Sequence, residues 1–71
     1  MKKGQIYKHC KGKLYKIVAL ARNSDNCKQE IVVYKSLEHS DYPKGTLWTR
    51  PLEDFNSIHR SGLKRFQKIK G

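Results

Sequence analysis

Gly4-Gln5-Ile6-Tyr7-Lys8-His9-Cys10-Lys11-Gly12-Lys13-Leu14-Tyr15 and Leu47-Trp48-Thr49-Arg50-Pro51-Leu52-Glu53-Asp54-Phe55 are the two stretches whose reading decides the fold. The first predicts a strand over Gln5 to His9 and a turn at Lys11-Gly12-Lys13, where Gly12 is free to take a left-handed conformation that a Cβ resists. A second strand then covers Leu14 to Arg22. Its apolar side chains from Ile17 to Ala21 serve both faces, as expected of a central strand that bends between two halves of a small barrel. A helix competes for this segment, but the β-branched pair Ile17-Val18 and the flanking Tyr15 favour the strand. In the second stretch a strand starts at Leu47, and Pro51 begins one helical turn because its missing N–H needs no partner there. Glu53 and Asp54 then lie near the positive end of that turn, and Leu52 and Phe55, three apart, point the same way.

Between the two stretches, Asn23-Ser24-Asp25-Asn26 reads as a turn whose side chains satisfy nearby backbone donors. Gln29 to Leu37 is the third strand, centred on Ile31-Val32-Val33-Tyr34. The loop from Glu38 to Thr46 contains Tyr42-Pro43-Lys44-Gly45, which fits a type I turn with Pro second and Gly fourth. A last strand over Leu63 to Ile69 closes the set. The expectation is an all-β meander forming a small five-stranded barrel or roll, with Ile17, Ala19, Val33, Trp48, Leu52 and Phe55 largely buried.

The chain has 71 residues, which suits a single domain, 1–71, near the lower size at which an apolar core suffices without metals or disulfides. Such a domain must bury most of its large apolar residues, so Tyr15, Trp48, Phe55 and Phe66 are expected in the core. No apolar run reaches membrane-spanning length, and Met1-Lys2-Lys3 leads into polar sequence rather than a signal-peptide core, so the expected setting is the cytoplasm with no membrane partner. Cys10 and Cys27 are then expected as reduced thiols. With His9, His39 and His59 they lack the paired spacing of a zinc site, so no metal and no cofactor is expected.

The arrangement Gly4, Tyr7, His9, Lys11-Gly12, Tyr15, Ala21, Val32-Val33-Tyr34, Trp48-Thr49-Arg50-Pro51-Leu52, Phe55 and Arg65-Phe66 resembles the bacterial and phage family called domain of unknown function 1653. The resemblance runs from Gly4 to Ile69. It implies a compact SH3-like β-barrel roll and brings no settled activity. Cys10 stands where that family commonly has an aromatic, Asn23 where histidine is frequent, and the strong basic charge is a feature of this member.

Sixteen Lys and Arg against six Asp and Glu give a formal charge of +10, which points to an acidic partner. The sequence holds no nucleophile elbow, metalloprotease helix or glycine-rich phosphate loop. A Cys10-His9 nucleophile pair is unexpected because adjacent strand residues face opposite ways. The chain is therefore read as a non-enzymatic binding module, expected as a monomer. The charge favours weakly sequence-dependent binding of RNA or DNA, with Lys8, Lys35, Arg50, Lys64, Arg65, Lys68 and Lys70 on phosphates and Tyr7, Tyr34, Tyr42 and Trp48 as stacking groups. The alternative is a protein, peptide or small-anion recognition module with no nucleic-acid role, in which Tyr7, His9, Arg22, Tyr34, Trp48 and Arg50, with Arg65 beside them, form a cationic-aromatic pocket. Where the basic residues lie separates these readings: a stripe favours nucleic acid, a few arginines in a concavity favour a small anion. Arg50 also has a purely architectural reading, as a clamp on a loop carbonyl or a partner for Glu30.

Overall fold

The alternation of Val32, Tyr34 and Ser36, each buried, with half-buried Val33 and Lys35 gives one strand two distinct faces, and the sheet is built around it. The computed structural model describes residues 1–71. It contains β1 (Ile6–His9), β2 (Leu14–Asn23), β3 (Asn26–Ser36), β4 (Leu47–Pro51), the short helix α1 (Leu52–Phe55) and β5 (Phe66–Lys70). All five strands belong to one antiparallel sheet in the order β4-β3-β2-β1-β5. The protein is thus mainly β, as the sequence implies. β4 and β5 lie at opposite edges and do not pair, so hydrogen bonds do not close the sheet into a ring.

Register decides which side chains meet. Tyr7 stands opposite Tyr15, Ile17 opposite Tyr34, and Tyr34 opposite Trp48, so these residues share an inner face. The core on that face consists of Ile17, Val32, Tyr34, Phe55 and Phe66, with Tyr7, Tyr15, Trp48 and Leu52 packed around it. Phe55 follows the β4 edge and Phe66 opens the β5 edge. Their rings stack at 4.0 Å and 3°, which requires the sheet to bend until its two edges approach each other.

Two expectations about the core need correction. A register shift between Ile17 and Ala19 inserts Val18 as an extra residue, after which Ala19 faces Val33 on the outer side of the sheet and is exposed. Trp48, Leu52 and Val33 are only half-buried, while Val32 and Tyr34 occupy the interior. The loop turn also moves by one residue. Thr46 N–H donates to the Pro43 carbonyl at 3.1 Å, and Gly45 takes φ +90°, so glycine fills the third position, as a type II turn demands. The β2–β3 connection narrows to Ser24-Asp25, with the Asn23 side-chain oxygen accepting from Asp25 N–H at 2.9 Å.

Phe55 is fully buried against Tyr7, Tyr34 and Phe66, so Phe55→Ala should cost about 3–5 kcal/mol. Trp48→Ala should cost clearly less, because that ring keeps one side in solvent. Urea unfolding of both variants checks the order; equal losses would place Trp48 in the core.

Candidate functional site

Six inner-face positions, His9, Tyr15, Tyr34, Trp48, Arg50 and Phe66, converge on a hollow of about 240 Å³. Tyr15, Tyr34 and Phe66 line its interior, with Tyr34 and Phe66 almost fully buried. Trp48 forms one wall, and its indole N–H donates to Ser36 Oγ at 2.8 Å, which fixes the ring. His9, Lys11 and Lys13, all from the first hairpin, complete the rim. A space of this size is below that of a drug-sized pocket and suits one chemical group rather than a whole large ligand.

Arg50 is the cation inside the hollow. It stands opposite Val32 on β4, and its guanidinium lies over the Phe66 ring, 5.9 Å from the centroid. Its Nε is buried and has no hydrogen-bond partner. No carboxylate pairs with it, since the single ion pair of the structure joins Lys13 and Glu38 at 3.9 Å across the exposed rim. Neither the Glu30 pairing nor the loop-carbonyl clamp is present. A buried donor left unmade costs about 1–3 kcal/mol, and more when charged, whereas a cation–π contact at a partly exposed site returns about 0.5–1 kcal/mol. The aromatic contact therefore does not balance the missing acceptor.

His9 is held by its own turn. Lys11 N–H donates to His9 Nδ1 at 3.1 Å and Gly12 N–H to the His9 carbonyl at 2.8 Å, with Gly12 at φ +102°. The segment His59-Arg60-Ser61-Gly62-Leu63 repeats this construction. Ser61 N–H donates to His59 Nδ1 at 3.1 Å and Gly62 N–H to the His59 carbonyl at 2.8 Å. The two imidazoles meet edge-on at 6.0 Å. Because each Nδ1 accepts a backbone N–H, each neutral ring carries its proton on Nε2. Burial lowers the His9 pKa, and the neighbouring His59, Lys11, Arg50 and Arg65 lower it further. The His59 value is lowered too, by desolvation and then Arg65, Arg60 and Lys11. Burial raises the Tyr15 hydroxyl, helped by Tyr34 and Glu38 and opposed by Arg50.

The pocket expected from sequence is thus assembled in part. His9, Tyr34, Trp48 and Arg50 come together, while Tyr7 packs against Phe55 at 5.2 Å and Arg22 donates to the Cys27 carbonyl at 3.0 Å at the far end of the β2–β3 hairpin. Lys11, Lys13, Tyr15 and Phe66 join the site unforeseen. Register brings in Tyr15 opposite Tyr7 and Phe66 opposite His9, while Lys11 and Lys13 arrive with the turn that joins β1 to β2. Among the expected phosphate contacts, Arg65 is tied to Ser57 Oγ at 3.3 Å, Lys64 sits in the bridge to Ile58, Lys68 and Lys70 lie on the β5 edge, and Lys8 is on β1. None of them lines the hollow that holds Arg50. Of the four stacking candidates, Tyr34 is buried and Tyr7 is in the core periphery. Tyr42 is 54% exposed and meets Trp48 edge-on at 4.9 Å.

The cysteines are both free. Cys10 lies just past β1, so its Sγ reaches 3.7 Å from His9 Nδ1 instead of diverging from it, which corrects the strand-alternation argument. That nitrogen already accepts from Lys11 N–H. No three His, Cys, Asp or Glu side chains converge as a metal site, and no helix is long and apolar enough to cross a membrane.

A small open sheet with a cationic-aromatic hollow on its inner face is the class of protein that these observations define. Residues 5–68 match the family described as "Protein of unknown function (DUF1653)", and the chain belongs to that family. Comparison with curated proteins and with solved structures gives no match.

Because His9 and His59 bind protons less readily when folded than at their ordinary value of 6.5, the unfolded chain takes up more protons as pH falls. Their contribution to stability is complete above that value and is lost as pH drops through the folded pKa values. Imidazole NMR titration should place both midpoints below 6.5, with the unfolding midpoint falling over the same interval. His9→Gln with His59→Gln should flatten that interval.

Proposed function

We propose that this protein is a non-enzymatic recognition module whose inner-face hollow receives one anionic group, a carboxylate or a phosphate, on a small molecule or a peptide. The observation that carries the reading is Arg50, whose buried Nε has no acceptor although its guanidinium lies over the Phe66 ring. An Arg fork matches the two oxygens of such a group, and acceptance of the Nε–H would remove the orphan donor. Lys11, Lys13 and the imidazole N–H of His9 supply further positive potential, while Tyr15 and Trp48 offer apolar walls to whatever carries the anion. We also infer that the open sheet, bent by the Phe55–Phe66 stack, is an SH3-like roll.

Concave arginine chemistry favours this reading over nucleic-acid binding at the same place, because the rings that would stack on bases are committed to the core or meet other rings edge-on. Phenyl phosphate, benzoate, inorganic phosphate and uncharged phenol should be titrated at low salt, with Trp48 fluorescence as the reporter. The charged aromatic probes should bind and phenol should not. Arg50→Met keeps an aliphatic stem over Phe66 and removes the orphan donor, so affinity should fall at least about tenfold while the unfolding midpoint holds or rises. Equal binding of phenol, or full affinity in R50M, would refute the assignment.

A further inference from the structure

The sheet's outer face carries a second, separate pattern of charge. Register sets Lys35 opposite Lys16, Lys16 opposite Ile6, and Ile6 opposite Lys70, so three lysines lie in one row across β3, β2, β1 and β5. Lys8, two residues beyond Ile6 on β1, shares this face. Gly4, at φ +91°, donates its N–H to the Ile17 carbonyl at 2.8 Å, and the reversed chain brings Lys3 to the same hollow as Lys16 and Lys35. That hollow measures about 420 Å³. Lys16 and Lys35 are both half-buried.

No acid answers these lysines. Asp25 lies in the β2–β3 turn, Glu38 and Asp41 in the β3–β4 loop, and Glu53 and Asp54 in α1. Glu30 stands opposite Arg22 in the alternation of Val32, which is the inner face. Like charges placed directly opposite across two strands destabilise a sheet, and Lys16 opposite Lys35 is such a pair. A single acid at either position would convert the pair to an attractive one. The row spans three strand spacings, roughly 14 Å, which is the axial length of about four phosphates along one nucleic-acid strand. No aromatic residue shares the face, whose other strand positions include Ile6, Leu14, Val33, Leu47 and Thr49, so bases have nothing to stack on.

We propose that this outer face, independently of the inner hollow, is a track for the phosphodiester backbone of duplex nucleic acid, held by Lys3, Lys8, Lys16, Lys35 and Lys70 through charge alone. Binding is then indifferent to sequence and governed by counterion release. With about four phosphates neutralised, log K falls with log salt at a slope near −4, a loss of roughly 100- to 300-fold between about 50 and 200 mM salt.

The decisive variant is Lys16→Glu. It exchanges the like-charged pair for an attractive one, so the melting midpoint should rise by about 1–6 °C. At the same time affinity for a DNA duplex of about 20 base pairs should fall at least about tenfold at 50 mM salt, with a shallower salt slope. Loss of binding in a more stable protein cannot come from unfolding. Lys16→Gln should give the same directions with smaller size. R50M should leave duplex affinity within about twofold, which separates this face from the inner hollow. Full duplex affinity in K16E, a lowered melting midpoint in both Lys16 variants, or equal losses in K16E and R50M would overturn the proposal. So would wild-type protein that ignores the duplex at 50 mM salt yet binds vesicles of phosphatidylcholine with phosphatidylglycerol, which would assign the face to anionic lipid.

Discussion

The stack of Phe55 on Phe66 is the contact on which the architecture depends. The sheet order leaves β4 and β5 as its two edges, and no hydrogen-bond ladder joins them. Phe55 sits one helical turn beyond β4, and Phe66 is the first residue of β5, so their parallel rings connect the edges by dispersion and burial rather than by backbone pairing. Tyr7, Tyr15 and Tyr34 then close around the pair edge-on. A chain of this length has few apolar residues to spend, and only five hydrophobic residues are fully interior. Rings supply the most buried area per residue, which is why an aromatic cluster rather than an aliphatic one holds the two edges together.

The same stack creates the inner hollow. Phe66 presents its interior to β4, and Arg50 on β4 lies over it. Bending the sheet therefore brings a cation from one edge onto an aromatic from the other, and no carboxylate of the chain pairs with it there. The hairpin that carries His9, Lys11 and Lys13 adds charge at the rim, because the His9 ring is packed edge-on against Phe66 at 5.0 Å. An orphan guanidinium Nε, a fixed indole and a neutral imidazole are consequences of one packing arrangement. The indole is held by Ser36 and the imidazole by the Lys11 N–H, so the Arg50 Nε is the one buried donor of the three that the fold leaves without an acceptor.

The two faces of the sheet use charge differently. On the inner face Arg50 is half-buried with its Nε out of reach of water, and its planar fork makes its bonding directional. On the outer face the lysines have long flexible stems and hydrated heads, and their attraction is set by number and spacing. Lysine in a row and arginine in a hollow are therefore not interchangeable parts of one basic surface, although the net charge of +10 counts them alike.

Local chemistry made the strands and turns legible in the sequence. Gly12 had to turn the chain after His9, β-branched Val32 and Val33 had to lie in a strand, and Pro51 with Glu53 and Asp54 had to start a short helix. The spacing of Leu47-Trp48-Thr49-Arg50 likewise put Trp48 and Arg50 on one face, because alternation is a property of the strand itself. Other features depended on partners distant in sequence. The extra residue at Val18 moves Ala19 to the outer face, and that bulge arises from pairing with β3, not from any residue preference in β2. Tyr34 became core rather than platform, and Arg22 became a hairpin clamp, because register decides which neighbours a side chain meets. The lysine row was equally hidden: Lys16, Lys35 and Lys70 are far apart along the chain, and only antiparallel pairing sets them side by side. Sequence by itself determined which residues could be strand, turn and cation. Tertiary structure alone decided which cations are left without partners, because that depends on the acids and carbonyls that folding brings within reach.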